Sequence, residues 1–263
     1  MNTNDDLKLM FLHVPKAAGR SVLEAFNLQK RGGLINRSIC DAVTTVQYFT
    51  TEEIQEYTKF TVVRNPWDRI VSLYNFRKVN NDLYNAYKGA NVYGGDQQTP
   101  EGTQLSFKEW VMDDRTRGVG HYWIHDLFRH ISVDPKTKIP CDLTREDADH
   151  VMGQPDTKLL QEAVYKDHYQ YYVMFMEWFP QYDFITLWEG KPFVNEIFKV
   201  ETLDEDIYNF CEKYNLPQVK VPKKNVVARS KKNYVDYYDD ELRKFVEELF
   251  WKDIEVFGYK FGE

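Results

Sequence analysis

The sequence predicts an α/β fold: a central parallel sheet flanked by helices, forming one domain over residues 1–263, with a largely helical insertion around 80–180. Three observations carry this. "LKLMFLHV" (7–14) and "TKFTVVR" (58–64) are short runs rich in apolar and β-branched residues, the pattern of strands buried on both faces. Each leads through a tight turn into a helical pattern, "SVLEAFNL" (21–28) after the first and "WDRIVSLYNFRKV" (67–79) after the second. Strand, turn and helix in repeated order build a parallel sheet with crossover helices. Finally, 263 residues with 43% apolar content can bury one large core, and no repeat or linker divides the chain.

The elements follow in order. Pro15 bounds the first strand, and Ser21 is placed to cap the helix after it. Pro66 opens the second helix at a position where its missing N–H costs nothing. Ile70, Val71, Leu73 and Tyr74 supply that helix's buried side. Residues 80 to about 105 are rich in Asn, Gly and Gln and predict a long loop. Residues 106–180 read as helical and aromatic, interrupted by "VDPKTKIP". "NEIFKVETL" (195–203) predicts a third strand, followed by a helix capped by Asp204. "VKVPKKNVVARSKKNY" (219–234) predicts a basic loop. A last helix from Asp239 aligns Leu242, Phe245, Val246, Leu249, Phe250, Ile254 and Phe257 on one stripe and ends at Gly258.

Charge and cysteines narrow the function. Against 41 acidic residues stand 34 Lys and Arg, a net charge of −7, which disfavours general nucleic-acid binding but permits a local anion pocket. Cys40, Cys141 and Cys211 are far apart and form no CxxC, so neither a disulfide framework nor a zinc site is expected. The opening "MNTNDDLKLM" has no basic n-region or long apolar run. The expectation is a soluble, cytoplasmic protein without a membrane partner.

The stretch "HVPKAAGRS" (13–21) suggests an anion site. A strand feeding a glycine turn and a helix start presents backbone N–H groups with no helical partner. The small residues Ala17, Ala18 and Gly19 permit close approach, Lys16 adds a charge, and Ser21 adds a hydroxyl. The lysine precedes the glycine and Pro15 stands where a glycine arch would begin, so this is not the GxxxxGK[ST] loop of magnesium-dependent nucleotide hydrolysis. A tight turn with a surface lysine is the alternative. A second stretch, "VVRNPWDRIVSLY" (62–74), places Arg64 at a strand end and Ser72 eight residues on, while Arg69 and Ser72 share a helix face. A strand-end arginine and a helix serine can clamp a second phosphate. The alternative is that Arg64 and Arg69 pair with Asp68 at the surface. One anion turn and one clamp together suit a nucleoside phosphorylated at both ends.

These residues resemble a known family. "HVPKAAGRS" resembles the 5′-phosphosulfate loop of sulfotransferases of the carbohydrate (heparan/chondroitin-like) branch, and "FTVVRNPWDRIVSLYNF" is very similar to that branch's 3′-phosphate motif. "VNEIFKVETLDED" and the tail ending in "FGYKF" resemble its later elements, whereas residues 80–175 match poorly. The resemblance implies a P-loop-like sheet and a donor, 3′-phosphoadenosine 5′-phosphosulfate (PAPS), whose sulfuryl group passes to an acceptor hydroxyl and leaves 3′,5′-adenosine bisphosphate. By that match Lys16 meets the bridging oxygen, Ala17, Ala18, Gly19, Arg20 and Ser21 hold the 5′-phosphate, and Arg64 and Ser72 hold the 3′-phosphate. Arg20 replaces a usual small residue and either adds charge to the donor site or faces solvent. No metal is expected.

Other assignments stay open. Six basic residues and no acid occur from Lys220 to Lys232, so Arg229 and Ser230 either approach the 3′-phosphate or belong to a solvated loop. Relatives often carry a histidine between the two phosphate motifs, yet no histidine lies between His13 and His121. Asp41, 23 residues before Arg64, is either the general base or a helix cap. His121 and His125, one helical turn apart, either line the acceptor pocket or pack among aromatics. The expected acceptor is a hydroxyl on a saccharide or other small molecule. Two rival functions are a kinase-like phosphotransferase and a nucleotide-binding regulator without catalysis.

Overall fold

The fold comes from a computed structural model, described at residues 2–30, 42, 45, 49–79, 105–113, 177–186, 192–222 and 233–263. Asp41, His121, His125, Arg229, Ser230 and most of the insertion around 80–180 lie outside these residues.

Five strands form one sheet in the order β3-β1-β2-β4-β5. Its centre is parallel, as expected: β2 (Leu9–Leu12) pairs with β4 (Thr58–Val63), and β4 with β5 (Glu196–Lys199). One edge is antiparallel, which makes the sheet mixed. There β1 (Asn2–Asn4) pairs with β2 on one side and with β3 (Gln29–Lys30) on the other. Only residues 5–8 separate β1 from β2, too few for a crossover, so the two strands close as a hairpin. "NTN" carries no apolar alternation, which hid β1 from a reading by pattern.

The side chains of β2 explain its continuous apolar run. Leu9 and Phe11 face one core, and Met10 and Leu12 face another on the opposite side of the sheet. In the first core Phe60 of β4 contacts Phe11, Phe198 of β5 and Phe210 of α6 (Leu203–Lys213) at ring distances of 5.2–5.7 Å. Phe26, just past α1 (Gly19–Ala25), packs edge-on against Phe60 and Phe210. The second core contains Met10, Leu12, Phe49 and Tyr57, the last following α2 (Thr51–Glu56). A third group gathers Trp67, Ile70, Leu73 and Tyr74 of α3 (Pro66–Val79) with Trp110 of α4 (Phe107–Met112) and with Leu242 and Val246 of α7 (Asp240–Leu249).

Several boundaries differ from expectation. α1 begins at Gly19, and its cap position falls on Ala18, which has no capping side chain. Ser21 is therefore buried inside the first turn and does not cap the helix. β5 ends at Lys199, and residues Val200–Thr202 form a 3-10 turn. Asp204 does not cap α6; the cap position is Thr202, and Asp206 accepts bonds from the Lys199 N–H (2.9 Å) and the Thr202 hydroxyl (2.8 Å). The last helix is two, α7 and α8 (Trp251–Phe257), divided at Phe250. Asp239 caps α7 by accepting from Leu242 N–H at 2.8 Å, and Gly258 ends α8 in the left-handed region at φ 67°. Among the described residues no helix is long and apolar enough to cross a membrane.

Candidate active site

β2 and β4 lie side by side and parallel, so the turns after their carboxyl ends are neighbours. In open α/β sheets that is where ligands bind. The two stretches singled out by sequence, some fifty positions apart, meet there directly: Arg64 donates from Nη1 to the Lys16 carbonyl at 3.2 Å.

The first turn is strained. Lys16 (φ 67°) and Ala18 (φ 57°) both lie in the left-handed region, with Ala17 buried between them. That region disfavours residues with a Cβ, and such strain persists only where the surroundings hold it, often at ligand sites. The first donors onto the Ala18 carbonyl are Ser21 N–H (3.0 Å) and Val22 N–H (3.3 Å), so the N–H groups of Gly19 and Arg20 precede the helical ladder. Gly19 is required by a close approach, because an added Cβ would fall inside the His13 ring. His13 itself is buried and stacks on Phe11 at 5.5 Å. Arg20 is exposed, which favours the solvent reading of that residue.

The second turn is built on Arg64, Asn65 and Pro66. The Arg64 guanidinium is mostly covered; Nε and Nη2 meet Asp68 at 2.8 and 2.7 Å. With Nη1 on Lys16, further N–H bonds of this five-donor group remain on Nη1 and Nη2 for a ligand. The local pairing with Asp68 exists, but it orients Arg64 beside the first turn instead of removing it. Asn65 is fully buried. Its side-chain oxygen accepts from Trp67 N–H (3.2 Å) at the start of α3, and its amide donates to the Lys260 carbonyl (3.0 Å). Glu201 accepts from Asn65 N–H (2.8 Å) and from the Tyr259 hydroxyl (3.3 Å), so the chain's last residues brace the Arg64 turn.

Arg69 excludes, for itself, the surface pairing that the sequence left as an alternative. It does not pair with Asp68 at the surface: it is completely buried and donates to the carbonyls of Pro15 (3.2 Å), Glu177 (2.8 Å) and Phe179 (2.9 Å). Burial lowers its pKa to about 10, against the raising influence of Asp253 and Glu177, so it keeps its charge at neutral pH. Arg69, Ser72 and Phe76 form one stripe of α3 at spacings of three and four. Arg69 touches the first turn at Pro15, and the Phe76 ring lies under the Lys16 ammonium, 3.7 Å from Nζ. Half-buried Ser72 lies on the stripe between these two contacts.

Gln181 and Asp253 were not anticipated as site residues. Both are fully buried, in the first turn of α5 (Gln181–Ile185) and in α8. A buried glutamine and a helical aspartate carry no sequence signal that separates them from ordinary polar residues. Among the described residues no group of three or more His, Cys, Asp and Glu side chains is arranged to hold a metal ion.

A family model described as the sulfotransferase family matches residues 1–260. The chain therefore belongs to the sulfotransferase family and is a sulfotransferase enzyme. Comparisons with curated proteins and with solved structures give no match. Membership decides among the three functions the sequence left open, against the kinase-like enzyme and the non-catalytic regulator.

Proposed function

We propose that the protein transfers the sulfuryl group of PAPS to an acceptor hydroxyl, on a saccharide or another small molecule, from a P-loop-like site in a single domain covering residues 1–263. The observation that carries this reading is the junction of the two turns, with Arg64 bonded to the Lys16 backbone at the carboxyl ends of adjacent parallel strands. A donor with phosphates at both ends of its nucleoside needs two anion sites side by side. The residues fit it: a lysine and N–H groups ahead of a helix at one turn, an arginine with spare donors at the other.

When bound, PAPS supplies the sulfuryl group and a nucleotide leaving group. Lys16 neutralises the charge that develops on the bridging oxygen as the sulfur–oxygen bond breaks. Ala17, Ala18, Gly19, Arg20 and Ser21 hold the 5′-phosphate, with Arg20 contributing its backbone. Arg64 and Ser72 hold the 3′-phosphate, joined by Arg229 and Ser230. The acceptor oxygen bonds to sulfur, and its proton passes to Asp41, with His121 or His125 as the alternative base. In-line placement and charge neutralisation suffice for such a transfer, as for phosphoryl transfer.

Turnover is measured with sulfur-labelled PAPS and a panel of hydroxyl acceptors. Lys16→Ala should lower kcat about 10²–10³-fold, the effect of removing one transition-state donor, while affinity for 3′,5′-adenosine bisphosphate changes little. Asp41→Ala should abolish turnover and leave that affinity intact. No transfer to any acceptor, or unaltered rates in both variants, would contradict the reading.

A further inference from the structure

Arg64 lies one residue past the end of β4, whose last pairing joins Val63 to Lys199. Its backbone N–H and carbonyl would therefore lack ladder partners, and a buried unpaired amide is costly. One side chain serves both. Gln181 Oε1 accepts from Arg64 N–H at 2.9 Å, and Gln181 Nε2 donates to the Arg64 carbonyl at 2.7 Å. The primary amide acts as a one-residue strand that extends the sheet past its end. Gln181 is itself held. Its N–H and that of Tyr182 donate to the two carboxylate oxygens of Asp253, both at 2.8 Å. On the preceding residues, Arg69 grips the carbonyls of Glu177 and Phe179 and, with the same guanidinium, the Pro15 carbonyl of the first turn.

We infer that Gln181 is a positioning residue for the 3′-phosphate subsite: its amide fixes the Arg64 backbone so that the guanidinium stands ready beside the Lys16 turn. The segment 177–182 is then a buried brace, anchored by Arg69 and Asp253, that sets the spacing of the two phosphate sites. This rests on the proposed donor reading, in which Arg64 binds a 3′-phosphate. Gln181 touches no substrate. Its effect should fall on the one phosphate that Arg64 holds and on nothing else.

Titrations of 3′,5′-adenosine bisphosphate and adenosine 5′-monophosphate separate the two ideas, since the ligands differ only in the 3′-phosphate. The wild-type protein should bind the bisphosphate more tightly. Gln181→Leu, which removes both bonds, should lower bisphosphate affinity about tenfold and leave monophosphate affinity within twofold. If Gln181→Leu does not fold, Gln181→Glu keeps an acceptor for the Arg64 N–H and is judged by the same selective loss. A variant that retains the full bisphosphate preference, or loses affinity for both ligands equally, overturns the positioning role while the donor reading stands. A wild-type protein without that preference overturns the donor reading, and this inference with it.

Discussion

At the residue scale, the site depends on contacts that leave no room for substitution. Gly19 lies against the His13 ring, and this pairing tests the packing of the turn directly. Gly19→Ala should destabilise the protein by about 1–3 kcal/mol through overpacking. In a Gly19→Ala/His13→Ala double variant the combined loss should be smaller than the sum of the single losses, because the clash vanishes with the ring. Urea unfolding of the four proteins checks this, and strict additivity would contradict it. The two turns that carry Lys16, Gly19 and Arg64 were legible in the sequence because each directly follows a strand and opens a helix, and the fold brings them together. For Arg69 the sequence left a helix face shared with Ser72 and a surface pairing with Asp68 both open, because one arginine beside an acid looks like another; the fold buries this one against three carbonyls. The positive φ at Lys16 and Ala18 was equally hidden, since such backbone angles usually signal glycine.

At the element scale, the active-site turns are fixed by pieces distant in sequence. β2, β4 and α3 were legible because their apolar runs and the proline at the start of α3 are local signals. The bracing of α5 by α8 was not, because it depends on two buried polar residues meeting across about seventy positions. Asp253 is the link, accepting from the first two N–H groups of α5. Burial pushes its carboxyl up to about 6, from the ordinary 3.8, against the lowering effect of Arg69 and of the bonded N–H groups. Between these pH values the folded protein keeps a proton that the unfolded chain releases. This group's contribution to stability therefore falls as pH rises through the window. Relative to Asp253→Asn, the wild-type protein should lose about 1 kcal/mol of unfolding free energy between pH 5 and pH 7. Urea titrations at the two pH values measure the difference; a gap that stays constant or moves the other way would refute the assignment.

At the scale of the whole molecule, sheet, helices and tail converge on one place. Asn65 ties the start of α3 to the Lys260 carbonyl, and Glu201 joins the end of β5 to Tyr259, so the chain's last residues close around the Arg64 turn. The α/β class and the family resemblance were legible because strand–turn–helix order is written locally. The antiparallel edge and the third core group were not, since they follow from which distant surfaces meet. The proposed function requires that two neighbouring turns form one site for a nucleotide phosphorylated at both ends. Its most direct test is thermal unfolding with 3′,5′-adenosine bisphosphate, compared with ATP, ADP and GTP, all without metal. At 100 times its dissociation constant the bisphosphate should stabilise the protein by about 2.7 kcal/mol, a shift in Tm of roughly 5–10 °C, with much smaller shifts for the other nucleotides. An equal or larger shift with ATP, or none with the bisphosphate, would contradict the two-phosphate site.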